Sequence, residues 1–242
     1  MCRMVGVVFR DQFPLNVLTD LKTVSREGKI PGREQRGHRD GWGIASFVGG
    51  SPEYLGRSQK WASDDRSFEL AMDKASELRP PNIVIGHVRA ASRGKAKLEN
   101  THPFIVGGLV LGHNGTIKGF NPVAKRVSRG ETDSERLANA LADRYDQKHD
   151  LRTALKSVIR EEVINREFTG AVLLVSDGRT LCGYRDYSEN GSYYDLRLAV
   201  EKENIVLFQE TASGIGGSVS RIKRREMVSV GLDLEVTRET IS

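Results

Sequence analysis

The chain is poor in cysteine and has no long apolar run. Two cysteines, Cys2 and Cys182, stand among 242 residues, too few for a disulfide framework or a cysteine-based zinc site. No stretch approaches the roughly 18 to 20 apolar residues that cross a bilayer, so a membrane-spanning protein is excluded. Among His38, His87, His102 and His113 no pair has the helical i, i+4 spacing of a two-histidine metal site, and no carboxylate partners stand out. No metal or cofactor is therefore expected. The opening Met1-Cys2-Arg3-Met4-Val5-Gly6 lacks the basic start, apolar core and small-residue cleavage site of a secretory signal, so a cytoplasmic location is expected.

What is present fits a folded chain. A length of 242 residues suits one large domain or two small ones, and no internal repeat, low-complexity tract or linker divides it. The expectation is a single domain over 1–242. The net charge of +5 is a weak pointer to a polyanion. The densest basic runs, Arg221 to Arg225 and Arg33 to Arg39, are not interleaved with aromatic residues, so both read as solvated faces and nucleic acid is not an expected partner. Of 25 glycines, 17 precede residue 131, which points to the first half as the place where the backbone turns closely around a site.

Hydrophobic patterning supplies the elements. Cys2 to Phe9 reads as a strand buried on both faces, Leu15 to Arg26 as a short helix, and the polar, basic Gly28 to Arg39 as a loop. Gly41 to Val48 and Tyr54 to Ser58 pair across a Gly49 to Pro52 turn; Asp65 to Arg79 is helical; Asn82 to Arg89 and Phe104 to His113 are apolar runs with polar tips. Thr132 and Glu135 form a capping box at the start of the clearest helix, with Leu137, Ala138, Leu141, Ala142 and Tyr145 on its buried stripe. Leu151 to Ile164 is a further helix. Thr169 to Ser176 and Arg179 to Arg185 form a hairpin about Asp177-Gly178, and Tyr193 to Val200, Asn204 to Glu210, Met227 to Val230 and Leu234 to Thr237 complete a run of strands. Strands and helices are segregated rather than alternating, which predicts an α+β fold with antiparallel sheets.

Four features carry chemistry. If Met1 is removed, Cys2 combines a thiol nucleophile with an α-amine whose pKa of about 7.7 to 8 suits it as the base. Cys182, in an apolar strand, reads as core. His113-Asn114-Gly115-Thr116 offers an amide side chain beside a glycine N–H, two donors for an oxyanion, although Asn-Gly between apolar runs is equally a hairpin turn. Arg89, followed by the small Ala90, Ala91 and Ser92, suits bidentate capture of a carboxylate. Asp133, at the first position of a helix, can meet an ammonium or simply stabilise the helix start. Together they describe a site for an α-amino acid with an acyl group on its side chain, and glutamine fits.

Cys2, Arg39-Asp40-Gly41-Trp42-Gly43-Ile44, Gly86-His87-Val88-Arg89, His113-Asn114-Gly115 and Thr132-Asp133-Ser134-Glu135 follow the order and rough spacing of class II glutamine amidotransferase domains. The chain resembles that branch of the N-terminal-nucleophile hydrolases over essentially its whole length. The resemblance implies a four-layer αββα sandwich, with Cys2 at the mouth between two antiparallel sheets. It also implies that Cys2 attacks the side-chain amide, Asn114 and the Gly115 N–H hold the oxyanion, Arg89 binds the α-carboxylate and Asp133 the α-amine. Ser92 and His113 join the substrate-binding set.

Synthase-linked members carry Trp-Ala-Thr after the site arginine. Here Ala90-Ala91-Ser92, with Asp40-Gly41-Trp42-Gly43 and Thr101-His102-Pro103-Phe104, looks like the stand-alone branch. Strand-like segments continue almost to Ser242 and leave no stretch of these residues for an ammonia-accepting domain. The expected partners are L-glutamine or a γ-glutamyl amide, with a separate ammonia-accepting enzyme and self-association both left open. The alternatives are a hydrolase of γ-glutamyl conjugates with the same chemistry, and a non-catalytic binding or regulatory subunit that keeps the fold.

Overall fold

The computed structural model describes residues 2–92, 94–210 and 213–242. Their strands form two antiparallel sheets. The first contains β1 (Arg3–Phe9), β2 (Trp42–Val48), β3 (Ser51–Ser58), β4 (Asn82–Val88), β9 (Arg197–Val200), β10 (Asn204–Phe208) and β11 (Ser218–Arg221), in the order β11-β9-β10-β1-β4-β2-β3. The second contains β5 (Phe104–Val106), β6 (Leu109–Ile117), β7 (Phe168–Ser176), β8 (Thr180–Tyr187), β12 (Glu226–Gly231) and β13 (Val236–Thr240), in the order β13-β12-β8-β7-β6-β5. Helices α1 (Asn16–Glu27) and α2 (Arg66–Ser76) cover the first sheet; α3 (Asp133–Lys148) and α4 (Leu151–Val158) cover the second. The layers run αββα, as the resemblance implies.

Each central strand feeds two cores, because alternate side chains leave opposite faces of a sheet. On β1, Met4 and Val8 join Ile83, Ile85, Val172 and Leu174 between the sheets, while Val5, Val7 and Phe9 meet Leu18 and Leu21 of α1. On β7, Val172 and Leu174 face the sandwich while Ala171, Leu173 and Val175 face α3 and α4. Strands buried on both faces read as continuous apolar runs, which is why β1, β4 and β7 are plain in the sequence. Trp42 ties the first two layers together: fully buried, it packs edge-on against Phe68 and donates from Nε1 to Asp65 Oδ2 at 3.0 Å. Asp65 in turn caps α2 by accepting from the Ser67 N–H.

Local expectations are corrected in several places. Phe104 to His113 is two strands, turned at Gly107 and Gly108, both at positive φ (57° and 80°). The predicted helix over Leu151 to Ile164 loosens into a π-helical turn over Ile159–Val163. Tyr193 and Tyr194 lie in a turn before β9 rather than in the strand. The capping box closes on one side only: Thr132 accepts from the Glu135 N–H, but the Glu135 carboxylate accepts from the Arg129 and Gly130 N–H groups instead.

The Asn114-Gly115 turn is the correction nearest the site. Both residues lie inside β6, opposite Val172 and Ala171 of β7, and the chain passes through a bulge between Gly115 and Ile117 without reversing. Gly115 has φ +147°, and a Cβ there would sit 1.7 Å from the Gly170 carbonyl oxygen. That clash is backbone against backbone and cannot be relieved by a rotamer. Gly115→Ala is therefore expected to lower stability by about 3 kcal/mol or more, read as a shift of the denaturation midpoint; a change below about 1 kcal/mol would show that the bulge relaxes freely.

Candidate active site

Cys2 precedes β1 and is 6% exposed. Its N–H donates to Asn114 Oδ1 at 2.8 Å across the gap between the sheets. Asn114 is fully buried, and its own amide donates to Gln209 Oε1 at 3.1 Å. Gln209, at the end of β10, donates from Nε2 to the Asp195 carbonyl at 3.1 Å. This chain of bonds fixes which way the Asn114 amide faces, with its oxygen toward the cysteine and its nitrogen toward Gln209. Sequence reasoning passed over Gln209 because nothing local marks a polar residue at a strand end; the pairing of β1 with β10 and the stacking of the two sheets bring it to Asn114.

The bulge in β6 delivers the other side chains. Asp133, at the start of α3, accepts from the Ile117 N–H at 2.6 Å and so docks the helix end onto the strand. His113 Nε2 donates to the Gly170 carbonyl at 3.4 Å, which leaves Nδ1 to accept from the Ser134 hydroxyl at 2.9 Å. Burial holds the His113 pKa below the usual histidine range, although the nearby Asp133 charge opposes that shift. A neutral imidazole in this tautomer matches both partners.

Arg89 follows β4 and is 2% exposed. Its Nη1 donates to the carbonyls of Lys95 (3.2 Å) and Asp40 (3.4 Å). Asp40 holds this segment from below: its carboxylate accepts from the Ala91 N–H at 2.7 Å, and its own N–H donates to the Arg89 carbonyl at 2.9 Å. The Arg39-Asp40-Gly41 sequence thus positions the arginine loop. Ser92 shares a 2.8 Å hydrogen bond with Thr116, linking that loop to the bulge.

Cys2, Arg89, Ser92, His113, Gly115 and Asp133 line one small space together with Ala90, Ala91 and His102. Asn114 stands behind it, reaching Cys2 from outside the wall. The space is about 20 Å³, room for about one water molecule, so glutamine requires it to widen. His102 was missed as a wall residue. It is buried, stacks on His87 at 4.3 Å between ring centroids, and neither of its ring nitrogens has a hydrogen-bond partner among the described residues. The second cysteine takes no part: Cys182 lies in β8 in the core under α3 and α4, where burial pushes its thiol up to about 12. Among the described residues no group of three or more histidine, cysteine, aspartate or glutamate side chains could hold a metal ion. No described helix is long and apolar enough to cross a membrane.

The sequence pattern of the class II glutamine amidotransferases matches residues 1–203. The chain belongs to that family. YafJ of Escherichia coli, provisionally named a glutamine amidotransferase, is 30% identical over 202 residues, spanning 76% of this chain and 72% of its own length. Among solved structures, the class II glutamine amidotransferase domain protein of Silicibacter pomeroyi superposes with a TM-score of 0.59 at 16% identity, over 99% of both chains. The glutamine phosphoribosylpyrophosphate amidotransferase of Bacillus subtilis gives 0.67 at 17% identity, covering 100% of this chain but 49% of that one. At those identities the structural likeness speaks for the fold, which is that of the class II amidotransferases. The present amidotransferase chain spans about half the length of the Bacillus enzyme.

Proposed function

We propose that residues 1–242 form one amidotransferase domain that hydrolyses the side-chain amide of glutamine with Cys2 as nucleophile. The observation that carries this reading is the convergence of Cys2, Gly115, Arg89 and Asp133, from four separate segments, on one small space. Once Met1 is removed, the free α-amine of Cys2 takes the thiol proton and the thiolate adds to the γ-carbonyl. The oxyanion sits against the Gly115 N–H and the Asn114 amide nitrogen, whose two hydrogens serve Gln209 and the oxyanion in turn. Arg89 holds the α-carboxylate and Asp133 the α-amine, with Ser92 and His113 shaping the pocket between them. The amine proton passes to departing ammonia, and water then cleaves the γ-glutamyl thioester to glutamate and restores the thiol. The ammonia escapes or passes to a separate acceptor enzyme. A cytoplasmic setting, where thiols stay reduced, suits a free thiol nucleophile.

The test is glutamate release from glutamine by protein whose intact mass confirms loss of Met1. Asn114→Ala is expected to slow turnover by about 10² to 10³. A processed protein that releases no glutamate from glutamine or from any γ-glutamyl amide would overturn the reading, and an Asn114→Ala protein with unchanged turnover would remove the oxyanion role. A second reading, hydrolysis of γ-glutamyl conjugates, is favoured by the two alanines that line the pocket beside Arg89, where a larger side chain would crowd a substituent on the amide.

A further inference from the structure

The basic segment read from the sequence as a solvated face is exposed, with Lys29, Arg33, Glu34 and Arg36 all open to solvent, and it borders a surface cavity. Between the loop after α1 and the turn before β9 is a space of about 620 Å³, whose walls include Arg3, Lys29, Arg33, Arg36, Tyr193 and Glu210. Four cations face two carboxylates there, Glu34 and Glu210. Arg3 is paired with Glu210. Among the described residues, Lys29, Arg33 and Arg36 have no carboxylate at ion-pair distance; Arg33 and Arg36 donate only to neutral carbonyls, those of Ala91 and Glu27. The cavity therefore keeps a positive field that its own acids do not cancel. The other basic run is different: Arg221 pairs with Asp195, and Arg224 and Arg225 with the fully buried Asp186, so those charges are consumed by the fold.

The position of the cavity gives the field a purpose. Two of its wall residues hold the backbone of the proposed nucleophile: Arg3 Nη1 donates to the Cys2 carbonyl at 3.1 Å and the Tyr193 hydroxyl donates to it at 3.3 Å. The Arg3 guanidinium carbon lies over the Tyr193 ring, 3.7 Å from its centroid, so each side chain holds the other. The cavity shares no wall residue with the space that holds Arg89 and Asp133. The Cys2-Arg3 segment runs between the two spaces, with Cys2 on the wall of the small one and Arg3 on the wall of the basic one. Arg33, bonded to the Ala91 carbonyl at 2.6 Å, joins the basic loop to the segment that walls the nucleophile.

We propose that this cavity is the subsite for the amine half of a γ-glutamyl amide, and that the amine carries an anionic group such as a carboxylate, sulfonate or phosphate. The proposal rests on the hydrolytic reading above and narrows its substrate class. The reaction balances without a further reagent: the Cys2 sulfur bonds to the γ-carbon, the C–N bond breaks as the amine leaves with the proton held by the α-amine, and water releases glutamate.

A matched pair of probes tests it: γ-glutamylglycine, which carries the anion, and γ-glutamylglycinamide, which does not. The expected kcat/KM favours the anionic probe by about tenfold or more at low salt, as a charged hydrogen bond warrants, and less at high salt. In Lys29→Ala/Arg36→Ala protein the preference is expected to fall below about threefold, with glutamine turnover unchanged. Equal handling of the probes by the wild type, or a preference that survives the double substitution, would overturn the subsite. Binding of both probes to Cys2→Ala protein gives the same comparison without chemistry. Catalytic silence with selective binding of the anionic probe would then count against hydrolysis and for the subsite.

Discussion

Cys2→Ala protein is expected to fold normally and to release glutamate from glutamine at least about 10⁴-fold more slowly than the processed wild type. The substitution removes a single sulfur atom at a 6% exposed position, so stability should change by about 1 kcal/mol and the melting temperature by a few degrees. The Cys2 N–H that donates to Asn114 is untouched. Loss of turnover with an intact melt therefore isolates the thiol. Protein that retains Met1 should be as inactive, because the Cys2 nitrogen is then an amide and cannot accept the thiol proton. Cys182→Ala supplies the control: with its thiol pushed up to about 12, Cys182 is protonated near neutrality and contributes no nucleophile. Equal turnover in the wild type and Cys2→Ala proteins would remove the basis of the mechanism.

Acidification is expected to destabilise the fold well above the usual carboxylate range. Burial lowers the pKa of His38 to about 3 and that of His87 to about 3, and holds His102 well below 6.5. In the unfolded chain each regains a value near 6.5. Between pH 6.5 and the folded values the unfolded state binds more protons, so stability is complete above about 6.5 and falls as the pH drops through that window. Each histidine contributes up to about 1.4 kcal/mol per pH unit. Denaturant midpoints at pH 7.5, 6.0 and 5.0 measure the slope. His113 is lowered by burial as well, so His102→Phe, which keeps a ring against His87 and Phe104, should flatten it by about a quarter. A stability constant from pH 7.5 to 5.0 would contradict the prediction.

The fold was legible where burial is two-sided. β1, β4 and β7 announce themselves as apolar runs, and their order with the capped α3 predicts segregated antiparallel sheets. The edges of both sheets were less so. Gly107-Gly108 lies within a run that reads as one strand, and β11, Ser218–Arg221, has four exposed residues and no apolar signal at all. Asn114-Gly115 misled for a definite reason: its composition is that of a tight turn, but the residues that decide its conformation are on β7, where the Gly170 carbonyl leaves no room for a side chain. Cys2, Arg89 and Asp133, the candidates marked by local sequence, do line one space. Gln209 and Asp40 were not, because each acts by holding another residue across a distance that only the folded topology closes. Arg33 and Arg36 are exposed, as a solvated face requires; what composition could not show is that both border a cavity beside Arg3.

The place of Cys2 also has a consequence for the order in which the protein is made. It stands at the head of β1, and β1 is held by β4 on one side and β10 on the other. β10 begins at Asn204, about 200 residues later in the chain. Non-local pairing of this kind comes late in folding. During synthesis the thiol is thus exposed to solvent, and accessible to the Met1 removal that the proposed mechanism requires, until nearly the whole sequence has emerged. Closing β1 between its neighbours then withdraws it. Under the proposed mechanism trimming and folding would compete for the same residue, and chains that close first would carry an untrimmed, inert terminus.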